Sequence, residues 1–304
     1  MIVHVMPTYA CNQSCAYCYL SNEDRSGRLS LDALGRALAD IGKEYDIERI
    51  NVYGGEISLL ERSYLAALFR TCKGVAHVSA ITNYARPEIT TEFPDVSWTV
   101  SVNDERPNND TVIQKLLVRE REDISLSQVV TPSVLRKGAA RVLAEDSLLG
   151  SSVEFLRYSP NRQNAIWPLG NTDFENFMID VMKLDGKYPI RIQNMNDIRA
   201  CIDGTYNVYA DSNIFLNPHG ELQQVAFDET GEYFVSLNSV EGVREIVARE
   251  KEMFRCDCPY IDHCYAEHLQ ESKAGDSCCG CRKLLDEARR ILGGKNHDEN
   301  RIAL

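Results

Sequence analysis

The sequence predicts an α/β protein built from six successive strand–helix units. Three observations carry this. Short apolar runs recur along the first half of the chain, amphipathic helical patterns separate them, and polar residues collect just downstream of the runs. Repeated βα units imply parallel strands with right-handed crossovers. A sheet of that kind that curls toward a barrel presents ligands at the strands' C-terminal ends.

The first run, Ile2 to Met6, leads into Cys11, Cys15 and Cys18. Ser30 then caps a helix expected over Leu31 to Lys43, with Leu31, Leu34, Ala37, Leu38 and Ile41 on one face. A strand from Ile50 to Tyr53 ends in Gly54-Gly55-Glu56, and a helix follows through Tyr64, Leu65, Leu68 and Phe69. Strands at His77 to Thr82, Val96 to Val102, Ile124 to Val130 and Val153 to Tyr158 complete the six. One helix, around Ser133 to Leu148, separates the last two. Asn83, Ser101, Asn103 and Asp104 stand at strand ends, where such residues also serve as ordinary turn formers. Arg157 faces either the cavity or solvent, near Phe155 and Tyr158.

The second half changes character. A helix from about Asn171 carries Phe174, Phe177, Met178, Val181 and Met182. Arg191 to Asn194 and Cys201 follow, then a hairpin turning at Asn217-Pro218-His219-Gly220. Beyond a helix at Val240 to Glu250, six cysteines crowd together: Cys256, Cys258, Cys264, Cys278, Cys279 and Cys281. A closing helix, Arg282 to Leu292, stops at Gly293-Gly294. The expected division is a barrel over 1–170, a cysteine-rich domain over 171–295 and a polar tail over 296–304.

A chain of 304 residues can bury a full core. Its 33 basic and 45 acidic residues give a net charge of −12 without a basic block, which argues against a nucleic-acid surface. No apolar stretch approaches membrane-spanning length, and the first strand begins at Ile2 with no leader before it, so a cytoplasmic protein is expected. Eleven cysteines in a reducing compartment point to metal or redox chemistry rather than bridges. Cys72, on an amphipathic helix, reads as a core residue.

Cys11, Cys15 and Cys18 follow the spacing C-x3-C-x2-C. Three thiolates on one short loop converge on a single centre at low closure entropy. A cubane iron–sulfur cluster has four irons, each wanting one outside ligand, so three cysteines leave one iron open to a substrate or cofactor. Tyr17 adds a flat apolar face suited to stacking on a purine. The alternatives are a zinc site, which ordinarily draws two pairs of ligands from distant segments, and a disulfide, which the odd cysteine count and missing secretory signal disfavour.

The cysteine spacing, with Tyr17 before the last cysteine and Gly54-Gly55-Glu56 one βα unit downstream, resembles the signature of the radical S-adenosylmethionine (radical SAM) superfamily. The resemblance implies a partial (β/α)6 TIM-like barrel with a [4Fe–4S] cluster on Cys11, Cys15 and Cys18. It also implies S-adenosylmethionine held by Tyr17, Gly54, Gly55, Glu56, Asn83, Ser101 and Asn103, with Glu56 and its glycines on the methionine amino group. Where that family continues with proline, this chain has Ile57-Ser58.

The C-terminal cysteines resemble the SPASM/twitch extension of one branch of that family. Cys201, the Gly220 hairpin and Cys258-x5-Cys264 match in order, while Val225 stands where the pattern has a cysteine and Cys256 and Cys258 are spaced C-x-C. The resemblance implies one auxiliary [4Fe–4S] cluster on Cys256, Cys258, Cys264 and Cys278, Cys279 and Cys281, with Cys201 joining it or anchoring a second. A zinc knot using these cysteines with His263 or His268 is the structural alternative.

The function so implied is reductive cleavage of S-adenosylmethionine to a 5′-deoxyadenosyl radical. That radical would cross-link, cyclise or epimerise a ribosomally made peptide. Dehydrogenation of an amino sugar or cyclitol is the second reading, and a non-enzymatic iron–sulfur sensor or electron carrier the third. Expected partners are a flavodoxin- or ferredoxin-type electron donor and a separate leader-peptide-binding protein, with no nucleic acid and no membrane. No residue is marked as the catalytic acid or base.

Overall fold

Strands form where apolar and polar residues alternate. They are β1 (Ile2–Val5), β2 (Arg49–Val52), β3 (His77–Thr82), β4 (Ser97–Ser101), β5 (Ser125–Val129) and β6 (Ser152–Leu156). In the computed structural model these six are parallel neighbours in chain order. The structure describes residues 1–20, 25–158, 167, 169–205, 213–225, 234–253, 258–260, 263–265 and 281–292.

Crossover helices α1 (Leu31–Glu44), α2 (Arg62–Lys73), α3 (Ile89–Glu92), α4 (Asn109–Leu117), α5 (Pro132–Lys137) and α6 (Ala139–Leu149) connect them. Ser30 caps α1 as expected, its hydroxyl oxygen accepting the Ala33 N–H at 3.1 Å. The single helix expected around Ser133 to Leu148 is two helices. Gly138 sits between them at φ 74 and ψ 155, a backbone state that ends one helix before the next begins.

The second half supplies α7 (Asn171–Lys183), β7 (Arg191–Ile192), α8 (Asn194–Ile202), β8 (Asn213–Leu216), β9 (Leu222–Val225), β10 (Phe234–Ser236), α9 (Gly242–Met253) and α10 (Arg282–Leu292). Its strands join the same sheet, which has ten strands in the order β10-β9-β8-β1-β2-β3-β4-β5-β6-β7. β8 runs parallel to β1, with Ile2 opposite Asn213 and Val5 opposite Leu216. The two stretches on either side of residue 170 therefore share one sheet. The Asn217–Gly220 hairpin forms between β8 and β9, with Gly220 at φ 83. Helices α4 and α8 carry no side-chain cap, the signal by which sequence reveals a helix start.

One face of the sheet is sealed by the helices. Val3, Val5, Ile50, Val52, Ala80, Val100, Leu126, Val153 and Phe155 are fully buried there. The opposite face carries His4, Asn51, Ser79, Thr99, Ser125, Ser152 and Glu154, the alternate residues of the same strands. The sheet is of the mostly parallel kind found in TIM-like partial barrels. Among the described residues no helix is long and apolar enough to cross a membrane.

Candidate active site

The cysteine loop leaves β1 through a pinned segment. Thr8 Oγ1 donates to the Gly27 carbonyl at 3.1 Å and accepts the Ala10 N–H at 3.0 Å. Within the loop the Cys18 N–H bonds the Cys15 carbonyl at 3.1 Å, and the Gln13 N–H points at Cys11 Sγ at 3.4 Å. The loop lies at the C-terminal rim of the parallel strands.

Gly54-Gly55-Glu56 zips onto that segment. The Gly55 N–H donates to the Thr8 carbonyl at 2.7 Å and the Glu56 N–H to the Ala10 carbonyl at 2.8 Å. Gly54 holds φ 128, and a Cβ on Gly55 would lie 2.2 Å from the Ala10 oxygen. The sequence reading assigned these glycines to close approach by a ligand. The structure places the close approach against the backbone leading into the cysteine loop, because two chains meet there with no room for a side chain.

Glu56 is 1 % exposed. Its Oε1 accepts from the Ser58 N–H at 2.9 Å and from Thr82 Oγ1 at 2.5 Å, and its Oε2 accepts the Asn83 N–H at 2.5 Å. A carboxylate offers about four acceptor positions, so one remains for a further donor. Asn83 turns its amide to the loop, with Nδ2 2.7 Å from Asn12 Oδ1 and 3.8 Å from Cys11 Sγ. Tyr84, the next residue, adopts a left-handed backbone at φ 62.

Ser101 is half-buried, and its carbonyl accepts from Arg106 Nη1 at 2.9 Å. Asn103 is spent on the protein. Its Nδ2 donates to the Val129 carbonyl at 2.6 Å, and its Oδ1 accepts the Glu105 N–H at 3.1 Å. Asp104 pairs with Lys137 at 2.8 Å.

Arg106 was not visible as a site residue from sequence. It is buried, and its Nε and Nη2 donate to Gln13 Oε1 at 3.3 and 3.2 Å, the same oxygen that accepts from Cys15 Sγ at 3.6 Å. Among the described residues it has no ion-pair partner. The signal available was its standing as the lone basic residue in the loop from Asn103 to Asp110.

Burial pushes the Cys15 thiol up while the Arg106 charge pulls it down. Burial raises the Cys18 thiol to about 11. Tyr17, whose hydroxyl bonds Cys15, is also pushed up chiefly by burial. Its ring centre lies 6.5 Å from that of Trp167, which stands 5.1 Å from Tyr158.

The described C-terminal cysteines collect around α8 and α10. Cys201 and Cys264 are buried and electrostatically coupled, burial first and then Cys264 raising the Cys201 thiol. Cys281, at the start of α10, receives a hydrogen bond from Arg157 Nη2 at 3.8 Å, so Arg157 faces inward. Cys258 is half-buried, and Cys72 is buried on α2. Cys256, Cys278 and Cys279 lie outside the described residues, as does His268.

The donor set at the rim suits a cubane cluster. Three thiols without disulfide partners share one loop, and their charges interact. Metal binding deprotonates such thiols and so overcomes the burial penalty. Among the described residues no group of three or more His, Cys, Asp or Glu side chains could hold a metal ion. A lone zinc needs its sulfurs gathered at ~2.3 Å around one point. A cubane takes one sulfur at each of several separate irons, which asks less convergence of the loop.

The structure thus sets a loop of three thiols at the C-terminal rim of a parallel α/β sheet. Residues 5–137 match the family model described as the Radical SAM superfamily. Members of that family are enzymes of oxidoreductase-type radical chemistry, and the family implies a [4Fe–4S] cluster and S-adenosylmethionine. A curated protein of Sulfurisphaera tokodaii, described as a probable GTP 3',8-cyclase, is 35% identical over 83 residues. That match spans 27% of this chain and 26% of that protein. A solved structure described as native anSMEcpe with bound AdoMet superposes with TM-score 0.62 at 12% identity, covering 96% of each chain. Streptococcus suis SuiB bound to S-adenosylmethionine gives 0.64 at 12% identity, over 93% of this chain and 76% of that one.

Proposed function

We propose that the protein cleaves S-adenosylmethionine reductively and uses the resulting radical to modify a ribosomally made peptide by cross-linking, cyclisation or epimerisation. The observation that carries this is the backbone zipper joining Gly55 and Glu56 to the segment that enters the cysteine loop. It fixes the three thiols and the Gly-Gly-Glu acid in one place.

In this reading Cys11, Cys15 and Cys18 hold a [4Fe–4S] cluster with one open iron. The chemistry supplied there, with S-adenosylmethionine bound, is one-electron cleavage to a 5′-deoxyadenosyl radical that takes hydrogen from the substrate. Glu56 offers its remaining acceptor position to the methionine ammonium, and Gly54 and Gly55 keep it at that depth. Arg106 offers a guanidinium to the methionine carboxylate. Asn83, Ser101 and Asn103 shape the wall for the nucleotide, and Tyr17 stacks on the purine. An auxiliary cluster with ligands drawn from Cys256, Cys258, Cys264, Cys278, Cys279 and Cys281, which Cys201 joins or supplements with a second, would accept the electron released when the substrate radical is oxidised to product. A cytoplasmic flavodoxin- or ferredoxin-type donor and a separate leader-peptide-binding protein complete the system.

Support for a peptide substrate comes from neighbours of the same fold. SuiB has a structure described as bound to precursor peptide SuiA, and anSMEcpe one with a Cp18Cys peptide. Val225, where the SPASM pattern has cysteine, favours a second reading, dehydrogenation of a small molecule such as an amino sugar or cyclitol.

The test is anaerobic reconstitution with iron and sulfide, reduction, and incubation with S-adenosylmethionine and precursor peptides. 5′-Deoxyadenosine and a peptide mass change are expected for wild type, and neither for Cys15→Ala. A mass change on an aminocyclitol instead transfers the assignment to the second reading. A reduced cluster that leaves S-adenosylmethionine intact would identify an iron–sulfur sensor or carrier.

A further inference from the structure

Asn83, the residue after β3, bonds to two different parts of the site. Its N–H donates to Glu56 Oε2 at 2.5 Å, and its Oδ1 accepts the Ala85 N–H at 3.0 Å. The second bond fixes which way the side-chain amide points, because only its oxygen can face that donor. Nδ2 then points the other way, where Asn12 Oδ1 lies at 2.7 Å and Cys11 Sγ at 3.8 Å. An NH2 group carries one hydrogen for each of these acceptors.

The turn that aims the amide is held from several sides. Tyr84 has a left-handed backbone at φ 62, a state that a bulky residue keeps only where its surroundings enforce it. The Tyr84 N–H bonds Thr82 Oγ1 at 3.0 Å, and Lys115 Nζ donates to the Tyr84 and Ala85 carbonyls at 3.2 and 2.7 Å. Asn83 and Tyr84 are both buried. Asparagine that merely forms a turn ordinarily sits at the surface. Here burial and backbone strain direct one amide at one sulfur.

Cys11 Sγ thus faces two N–H donors, the Asn83 amide and the Gln13 backbone N–H at 3.4 Å. The Gln13 donor belongs to the loop and comes with any residue except proline. The Asn83 donor is a side chain from seventy-two residues away, so it depends on that one residue type. Reduction of a cluster places one more electron on its irons and sulfurs. An N–H aimed at a coordinating sulfur offsets part of that charge and favours the reduced state.

We propose that Asn83 is a positioning residue for the cluster: its amide seats Cys11 and raises the cluster's reduction potential, while its backbone N–H keeps Glu56 beside the same sulfur. The proposal rests on the reading of Cys11, Cys15 and Cys18 as [4Fe–4S] ligands, and it goes beyond the place of Asn83 in the wall at the nucleotide. The electron comes from the flavodoxin- or ferredoxin-type donor named above.

The test titrates the full reconstituted chain against redox dyes, anaerobically and without S-adenosylmethionine, while electron paramagnetic resonance follows the reduced cluster. Asn83→Ala removes the donor. Asn83→Ser keeps the turn through its hydroxyl but does not reach Cys11, so it decides the matter where Asn83→Ala fails to load iron. At the potential where wild type is half reduced, both variants should show a reduced-to-oxidised ratio at least about threefold lower (~28 mV, at ~59 mV per tenfold for one electron). Asn83→Gln, which keeps the amide one methylene further out, should recover part of that loss. Iron per chain reports the seating of Cys11 separately and should fall in Asn83→Ala. A residue that only supports the fold would lower iron content and leave the potential of the loaded fraction at the wild-type value. That result, or a raised potential in Asn83→Ser, would overturn the proposal. Protein that cleaves S-adenosylmethionine while its variants share one potential loses the role of Asn83 and keeps its class. Protein that shows the expected order of potentials but leaves S-adenosylmethionine intact loses the class and keeps the role.

Discussion

Replacing Gly55 with alanine tests the zipper most directly. The added Cβ would sit 2.2 Å from the Ala10 oxygen, 2.6 Å from the Tyr9 carbonyl carbon and 2.8 Å from that of Ala10. All three are backbone atoms, so no side chain can swing aside. The two backbones must part, breaking the 2.7 Å Gly55–Thr8 and 2.8 Å Glu56–Ala10 hydrogen bonds. Each bond is worth about 1 kcal/mol net. Overpacking strain adds about 1–3 kcal/mol. Gly55→Ala should therefore cost about 3–5 kcal/mol, a large share of the ~5–15 kcal/mol that holds a domain folded. The control is Gly35→Ala on α1, where a Cβ meets nothing within 4 Å. That change should stabilise by up to about 1 kcal/mol, since alanine is the better helix former. Anaerobic urea unfolding gives both values, and iron per chain after reconstitution reports the loop. Gly55→Ala with stability within about 1 kcal/mol of wild type and full iron content would refute the zipper.

Further outcomes follow from buried polar groups. Glu56→Gln puts an amide N–H2 opposite a donor whichever way it turns, so it should lose about 1–3 kcal/mol and lower iron retention; an unchanged Tm would show that the carboxylate is not the clamp. Asp146 on α6 is buried and raised from 3.8 to about 7, by burial first and then by Glu145. The folded chain therefore keeps a proton that the unfolded chain releases, and stability should fall by up to about 4 kcal/mol as pH climbs from about 4 to 7. Asp146→Asn should flatten that decline in urea titrations at several pH values. His4 behaves oppositely, lowered from 6.5 to about 4 mainly by burial. The unfolded chain takes up a proton first, so up to about 3 kcal/mol is lost as pH falls from about 6.5 to 4. His4→Phe, beside Phe215 at 4.4 Å, should remove this acid limb, and a limb that persists would assign it elsewhere.

Much of the site was legible because its marks are local. Cys11, Cys15 and Cys18 share eight residues of chain, and Gly54-Gly55-Glu56 closes a readable strand. The Ser30 cap and the alternation in β3 likewise need only near neighbours. Arg106 escaped because nothing local separates a loop arginine that solvates from one that turns to Gln13, ninety-three residues away. The split of one helix at Gly138 was missed because apolar periodicity runs on through the break.

The sequence by itself determined where the strands lie, which loop bears the thiols and that polar residues gather at one rim. Hydrophobic period and ligand spacing are properties of contiguous residues, so they survive without coordinates. Only the tertiary structure decided that four later strands extend the same sheet, that the two glycines press on the segment entering the cysteine loop, and that Arg106 turns to Gln13. Those facts depend on register summed across many strands, and no window of the chain contains them.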